Sequence, residues 1–504
     1  MRALFDEYRP PAGYDEMFLR QGQPRKHYQA LYHLLSSLSP EAVAQQTRLS
    51  RLKFLYQGIT FAVQGQTDPL DKIFPFDLIP RMIPWDEWTI IDRGLRQRLQ
   101  ALNLFLADIY GEQRILAEGV VPASLVLTCG QYRQEMIGFR PPGKVYIHIA
   151  GIDLIRSPDG RYRVLEDNVR IPSGVSYALA NRTVMTRLFP RWFRNIAVTR
   201  VGDYADRLLR TLQNVSPDGA DEPVVVLLTP GRYNAAYFEH AYLAKQMGVE
   251  LVEGSDLTVE ADKVYIRTTH GLQQVNVIYR RVDDEFLDPR AFRSDSLLGV
   301  PGLFEAYRKG NVTLANAIGT GVADDKAIYA YVLDIIRFYL AEEPILDNIP
   351  TYLAERPQDY QYIMDRMDEL VVKETEGAGG YGMLIGPQAS KQELAHFRDK
   401  IKANPRGYIA QPLVELSHHP CIVNRRLQPS RIDLRPYVLS GQDTSWVMPG
   451  GLTRVALKQG SYVVNSSQGG GSKDTWVLAA RLDRGGMNNR PAIEGADGEE
   501  GDRC

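Results

Sequence analysis

Residues 161–174, "RYRVLEDNVRIPSG", constrain the fold most, because a β-strand turns successive side chains to opposite faces. In an extended chain Glu166 and Asn168 share one face and Asp167 takes the other. The run "KVYIHIAGIDLIRS" precedes it, and "SPDG" between the two is well suited to a tight turn. If Ser157 pairs with Gly160, Asp153 lies opposite Val164 and Gly151 opposite Glu166. Asp153 is then diagonal to Glu166, and Asp153, Glu166 and Asn168 stand on one side of the hairpin, provided that no bulge interrupts it. Those are hard oxygen ligands of the kind Mg²⁺ takes, usually together with waters and substrate phosphates. The same residues also fit a solvated strand edge. Asp167, facing the other way, is expected to form a salt bridge.

The bulk of the sequence narrows the class. Its 504 residues lead one to expect two or three domains. With 59 basic against 61 acidic residues and a formal charge of -2, there is no basic surplus to mark nucleic acid as a partner. Cys129, Cys421 and Cys504 are too scattered for a disulfide framework or a Cys-based zinc site. The start lacks the apolar core of a signal peptide, and no apolar run approaches the ~18 residues that a membrane span needs. These features predict a soluble, cytoplasmic protein without membrane partners; they leave the oligomeric state open.

Helical spacing dominates from Tyr28 to about Tyr110, with Leu95, Leu99, Leu102, Leu106 and Ile109 on one face. The three prolines of "IFPFDLIPRMIPWDEW" predict an ordered loop inside that region. "ASLVLTCG" reads as a strand. After "NVSPDGADEP", the order strand "VVVLLTPG", helix "YNAAYFEHAYLAKQMG" and strand "VELVEG" predicts an α/β unit. "DDKAIYAYVLDIIRFYL" reads as one amphipathic helix, followed by short strands and Gly-rich turns. The tail from Gly485, rich in glycine and charge, is expected to be disordered.

A second cluster is "LVVKETEGAGGYGM", in which an apolar strand delivers Lys373 and Glu376, Gly377, Gly379, Gly380, Tyr381 and Gly382 follow. Glycines let main-chain N–H groups close around anionic oxygens, although an ordinary Gly-rich hairpin has the same composition. Lys326 opens a helix after a glycine turn of its own. In "YIAQPLVEL", Gln411 and the backbone around Leu413 are placed to meet an adenine edge. Arg435 and Arg454 add cations suited to phosphate oxygens, and each also fits a simple salt bridge.

Taken together, "VVKETEGAGGYG", "YIAQPLVEL" and the acid-x-Asn strand resemble the ATP-grasp ligases. Here Glu166 and Asn168 precede both lysines, as in circularly permuted members such as glutathionylspermidine synthetase. "IFPFDLIPRMIP", "LEDNVRIPSGVSY", "RRVDDEFLDP" and "SSQGGGSKDTWV" are similar to the bacterial circularly permuted ATP-grasp type 2 family, from about Asp15 to about Arg484. The resemblance implies an α+β, circularly permuted ATP-grasp fold. Its parts would be a helical region (1–120), a metal-ligand hairpin part (121–200), an inserted α/β subdomain (201–300), a nucleotide-binding part (301–484) and the tail (485–504).

The resemblance also implies roles. Asp153, Glu166 and Asn168 match magnesium ligands, and Lys326 and Lys373 match the lysines on the ATP phosphates. The loop 376–382 matches the lid over those phosphates, and Gln411 and Leu413 match the adenine hinge. Arg454, with Lys373, would stabilise the transferred phosphoryl group, Arg435 would contact ATP, and Arg280 and Arg281 would face an acidic substrate. The activity implied is ATP- and Mg²⁺-dependent joining of a small-molecule or peptide carboxylate to an amine. The alternative is a nucleotide-binding scaffold without turnover. No cysteine precedes Cys129, so the amidase activity of bifunctional glutathionylspermidine synthetases is not expected.

Overall fold

Burial along the chain follows the apolar spacing closely enough to show why the first long elements form. The computed structural model describes residues 4–61, 72–217, 222–377, 382–423, 426–458, 460–465 and 469–480. Gly379, Gly380, Tyr381 and the tail from Gly485 lie outside the described residues. The "IFPFDLIPRMIP" segment is a strand, not a loop: Phe76–Ile83 (β1) is almost wholly buried. It pairs on one side only, parallel to the strand Gly471–Val477, and the register slips between Lys473 and Thr475, across from Pro80. An edge position with an irregular ladder tolerates a residue that has no N–H to donate.

Helix α1 (Trp85–Ile109) follows, with Asp86 and Glu87 in its first turn, where acidic groups suit the positive end of the helix. Leu95, Leu99, Leu102, Leu106 and Ile109 are all buried along it, as their spacing requires. "ASLVL" is a short helix, Ala123–Leu127, rather than a strand; a short apolar run does not by itself distinguish the two.

The hairpin is present, with a register that differs from the expected one. Strands β2 (Ile149–Arg156) and β3 (Tyr162–Asn168) are antiparallel, and near the turn Arg156 faces Tyr162 and Leu154 faces Val164. Continued without a break, that register would set Asp153 opposite Leu165. A bulge between Asp153 and Leu154 instead brings Asp153 directly opposite Glu166, and Gly151 opposite Asn168. The extra residue restores the shared face that the sequence suggests, by a different pairing. Asp167 points away into the core, where both its oxygens accept from Arg98 of α1 at 2.6 Å. Arg98 also donates to Asn348 Oδ1 at 2.8 Å, and Arg98 and Asp167 are both buried.

Helix α2 (Val175–Leu188) leaves the hairpin, and an α/β unit follows. In that unit Glu250–Val252, Val225–Leu228, Val277–Arg280 and Thr313–Ala315 lie side by side in a parallel sheet. "DDKAIYAYVLDIIRFYL" is split into α3 (Lys326–Tyr329) and α4 (Val332–Leu340), and α4 packs on α1.

Two further sheets frame a cleft. One is four-stranded and antiparallel: Tyr352–Leu353, then Tyr408–Pro412, Leu370–Glu374 and Met383–Ile385, the last three labelled β6, β4 and β5 in chain order of number. The larger sheet runs Asp347–Asn348, β3, β2, β7 (Arg426–Arg435), β8 (Leu452–Val455), β9 (Gly471–Val477) and β1. No helix among the described residues is long and apolar enough to cross a membrane.

Asp167→Ala leaves the Arg98 guanidinium buried without its carboxylate, and should cost about 3–5 kcal/mol of unfolding free energy. Urea denaturation reads this directly. Replacing both partners together, Arg98→Met with Asp167→Leu, should cost far less.

Candidate active site

A cleft lies between the β2–β3 hairpin and the four-stranded sheet. Its lining includes Asp153, Glu166, Lys326, Lys373, Gly377, Gln411, Leu413 and Arg454, which the sequence singles out, together with a broad apolar wall.

Each charged side chain reaches the cleft for a local reason. Lys326 is the first residue of α3, whose N-cap, Asp325, accepts from Ala327 N–H at 2.7 Å. The Lys326 N–H donates to the Thr375 carbonyl at 3.0 Å, which ties the start of α3 to the end of β4. Its ammonium sits 3.0 Å from Glu166 Oε1 and also donates to the Gly377 carbonyl. Lys373 projects from β4 and donates to Gln411 Oε1 at 2.8 Å. Burial pushes the Lys373 pKa down to about 8; the Glu166 carboxylate opposes that fall and the Lys326 charge adds to it.

Asp153 is the centre of an arginine clamp. Arg435 grips both its oxygens, with Nη2 at 2.8 Å from Oδ2, and Arg454 Nη2 lies 2.7 Å from the same oxygen. Arg435 can cross the hairpin because Gly151 has no side chain: a Cβ there would stand 3.2 Å from Arg435 Cδ. Arg454 is shared with Asp433, to which its Nε donates at 2.9 Å. Burial alone would raise the Asp153 pKa, but the two guanidiniums outweigh it and hold the carboxyl at about 2.

The residues fit a divalent cation. Asn168 is half-buried, and its Nδ2 finds no hydrogen-bond partner among the described residues. Amide oxygen and nitrogen can exchange places, so that position offers a carbonyl ligand on the same face as Glu166. An ionised carboxylate has about four acceptor positions, and the arginines fill three on Asp153, leaving one.

Several expected members stand elsewhere. Arg435 reaches Asp153 and does not line the cleft. Glu376 is exposed and accepts from Gly130 N–H at 2.8 Å, on the far side of the β4 end, where it borders a separate polar cavity. Gly382 takes φ +67°, and a Cβ there would lie 2.6 Å from the Glu374 carboxyl carbon. The expectation that Arg280 and Arg281 face a substrate is corrected, since both are buried among internal partners. Arg280 pairs with Asp284 at 2.7 Å and donates to the carbonyls of Asn316, Val282 and Ala317. Arg281 pairs with Glu239 at 2.9 Å and donates to the Pro172 carbonyl. The double arginine offers no sequence signal that separates a core role from a substrate role.

The sequence reading missed Asp433 and the apolar wall formed by Ile155, Leu165, Ile349, Met383, Ile385, Val414, Leu416 and Val464. Alternation along β2 places Ile155 on the face of Asp153 and so carries a usable signal. Leu165 carries none: it lines the cleft beside Glu166 because the bulge falls there.

A hairpin bearing Asp153, Glu166 and Asn168 ahead of two lysines, facing a small antiparallel sheet, is the arrangement of a permuted ATP-grasp protein. The family model described as circularly permuted ATP-grasp type 2 matches residues 80–456, and the chain belongs to that family. An uncharacterised protein of Synechocystis sp. is 53% identical over 471 residues, which are 94% of this chain and 98% of that relative. A Mycobacterium tuberculosis protein, also uncharacterised, is 52% identical over 469 residues, 93% of this chain and 84% of its own length. A Frankia alni protein provisionally named glutamate–cysteine ligase 2-3 is 41% identical over 477 residues, and the match covers 94% of this chain and 54% of the relative. Among solved structures, a glutathione synthetase-like effector from Globodera pallida shares the fold with a TM-score of 0.57 at 12% identity, over 88% of this chain and 98% of its own.

Lys373 keeps its charge below a pH of about 8 and loses it above. Affinity for ATP, whose terminal phosphate has completed its own ionisation by about pH 8, should therefore fall as pH rises from about 8 to 9. A fluorescence titration with an ATP analogue checks this, and Lys373→Met should bind weakly and without that slope.

Proposed function

We propose that the protein is an ATP-dependent ligase that joins a carboxylate to an amine through an acylphosphate. The observation that supports this best is the convergence of Lys326, Lys373, Arg454 and Glu166 on one apolar-walled cleft. The apolar wall suits a nucleobase, and the cations suit a triphosphate whose charge spreads as its terminal group transfers. Family membership supports ATP as the phosphoryl donor. The name carried by the Frankia relative supports the carboxylate–amine class, with amino acids or peptides as substrates.

In this reading residues 121–200 and 301–484 form the two sides of the nucleotide site. Glu166 and Asn168, with the open position on Asp153, would hold Mg²⁺, which when bound supplies positive charge against the β- and γ-phosphates. Lys326 and Lys373 bind the phosphate oxygens, and Arg454 meets the charge that develops on the transferring group. A substrate carboxylate oxygen attacks the γ-phosphorus, the bond to the bridging oxygen breaks, and ADP leaves. The amine nitrogen then attacks the acyl carbon, the acyl–oxygen bond breaks, phosphate departs, and the nitrogen gives up a proton. Exclusion of water protects the acylphosphate between these steps. Before ligand arrives, the arginine clamp keeps Asp153 ionised.

Mg²⁺-dependent ADP release should appear when the protein meets the right pair from pooled amino acids, short peptides and amines. Glu166→Ala with Asn168→Ala should lower that release by roughly 10²-fold or more. ATP binding without release under every pool would favour a nucleotide-binding scaffold, and absence of ATP binding would overturn the site.

A further inference from the structure

The hydrogen bonds give Gln411 a partner other than the adenine edge expected from sequence. Its side chain is buried, at 2% exposure, and both of its polar atoms are engaged. Oε1 accepts from Lys373 Nζ at 2.8 Å, and Nε2 donates to Thr351 Oγ1 at 2.9 Å. Thr351 Oγ1 donates in turn to the Ile349 carbonyl at 3.0 Å.

The direction of this chain is fixed at its far end. A main-chain carbonyl only accepts, so the Thr351 proton goes to Ile349, and the Thr351 oxygen is left to accept from the Gln411 amide nitrogen. The amide oxygen must then face Lys373. Turning the amide over would set an NH₂ group against an ammonium. Strand pairing supplies the approach: Val371 of β4 lies opposite Gln411 of β6, so Lys373, two residues further on, is the diagonal neighbour on the same face.

We propose that Gln411 is a positioning residue for Lys373: its oriented amide, anchored through Thr351 to Ile349, holds the lysine ammonium in the cleft and does not read the base. The inference rests on the reading of this cleft as an ATP site. A lysine side chain has many rotamers, and anchoring it before ligand arrives lowers the entropy cost of binding. One ammonium proton is held by Gln411, leaving others for phosphate oxygens.

The test compares ATP and adenosine binding by calorimetry and NMR in the full-length protein, with folding followed by circular dichroism. Gln411→Leu should weaken ATP about tenfold, the worth of a hydrogen bond to a charged group, while adenosine changes by less than about twofold. In a Lys373→Met background, Gln411→Leu should add nothing further, as expected when one residue acts through the other. Thr351→Val, which removes only the anchor, should reproduce a smaller ATP-selective loss even if Gln411→Leu does not fold. Equal weakening of ATP and adenosine, an altered preference between ATP and GTP, or a full loss in the Lys373→Met background would overturn the proposal. A wild-type protein that binds adenosine but gains nothing from the triphosphate, or binds neither, would overturn the reading of the cleft itself.

Discussion

The Arg98–Asp167 pair decides which way the hairpin faces, and the cleft depends on that choice. A strand has two faces, and slipping it by one residue exchanges them. The guanidinium of a buried arginine on α1 takes both oxygens of Asp167, so the opposite register would leave a buried cation without its counter-charge. With Asp167 committed to the core, Glu166 and Asn168 have one direction left. The same arginine reaches Asn348, so helix, hairpin and neighbouring strand are held from one point.

The cleft itself is an exercise in balancing charge at close range. Arg435 and Arg454 converge on Asp153, Arg454 extends to Asp433, and Lys326 meets Glu166. Without a ligand these three cations are therefore paired with carboxylates within the protein, while Lys373 holds only the neutral Gln411 amide. On the proposed reading, a triphosphate entering the cleft would compete with carboxylates that already occupy the positive groups, and a divalent cation would offer those carboxylates a replacement partner. The two would favour each other's entry for this reason.

Much of this was legible before any coordinates. Lys326, Lys373, Glu166 and Arg454 share one cleft, as their motifs implied, because each is delivered by a strand end or helix start that local sequence specifies. The same-face argument for Asp153 and Glu166 reached the right grouping through the wrong pairing, since nothing in "VLEDN" announces a bulge. Arg280 and Arg281 could not be told from surface cations, because the partners that bury them, Glu239 and the carbonyls of Pro172, Asn316 and Ala317, are distant in sequence. The prolines of β1 were misread for a related reason: edge status is a property of the sheet, not of the segment. Gln411 was placed correctly in space, but its hydrogen-bonding direction is set by Thr351, sixty positions away in the chain.

The bulge beside Asp153 makes the pairing of residues in the hairpin matter as much as their identity. Leu165 is the added residue, and its side chain is an ordinary apolar one. Removing the position would straighten the ladder, with Val164 opposite Leu154 and Glu166 still opposite Asp153. Drawing Leu165 into the ladder opposite Asp153 would instead rotate the strand beyond it by half a turn, carrying Glu166 and Asn168 inward and Asp167 out toward the cleft. The acids face the cleft because one residue is looped out, so the parity that matters here lies in the pairing and not in the length of the hairpin.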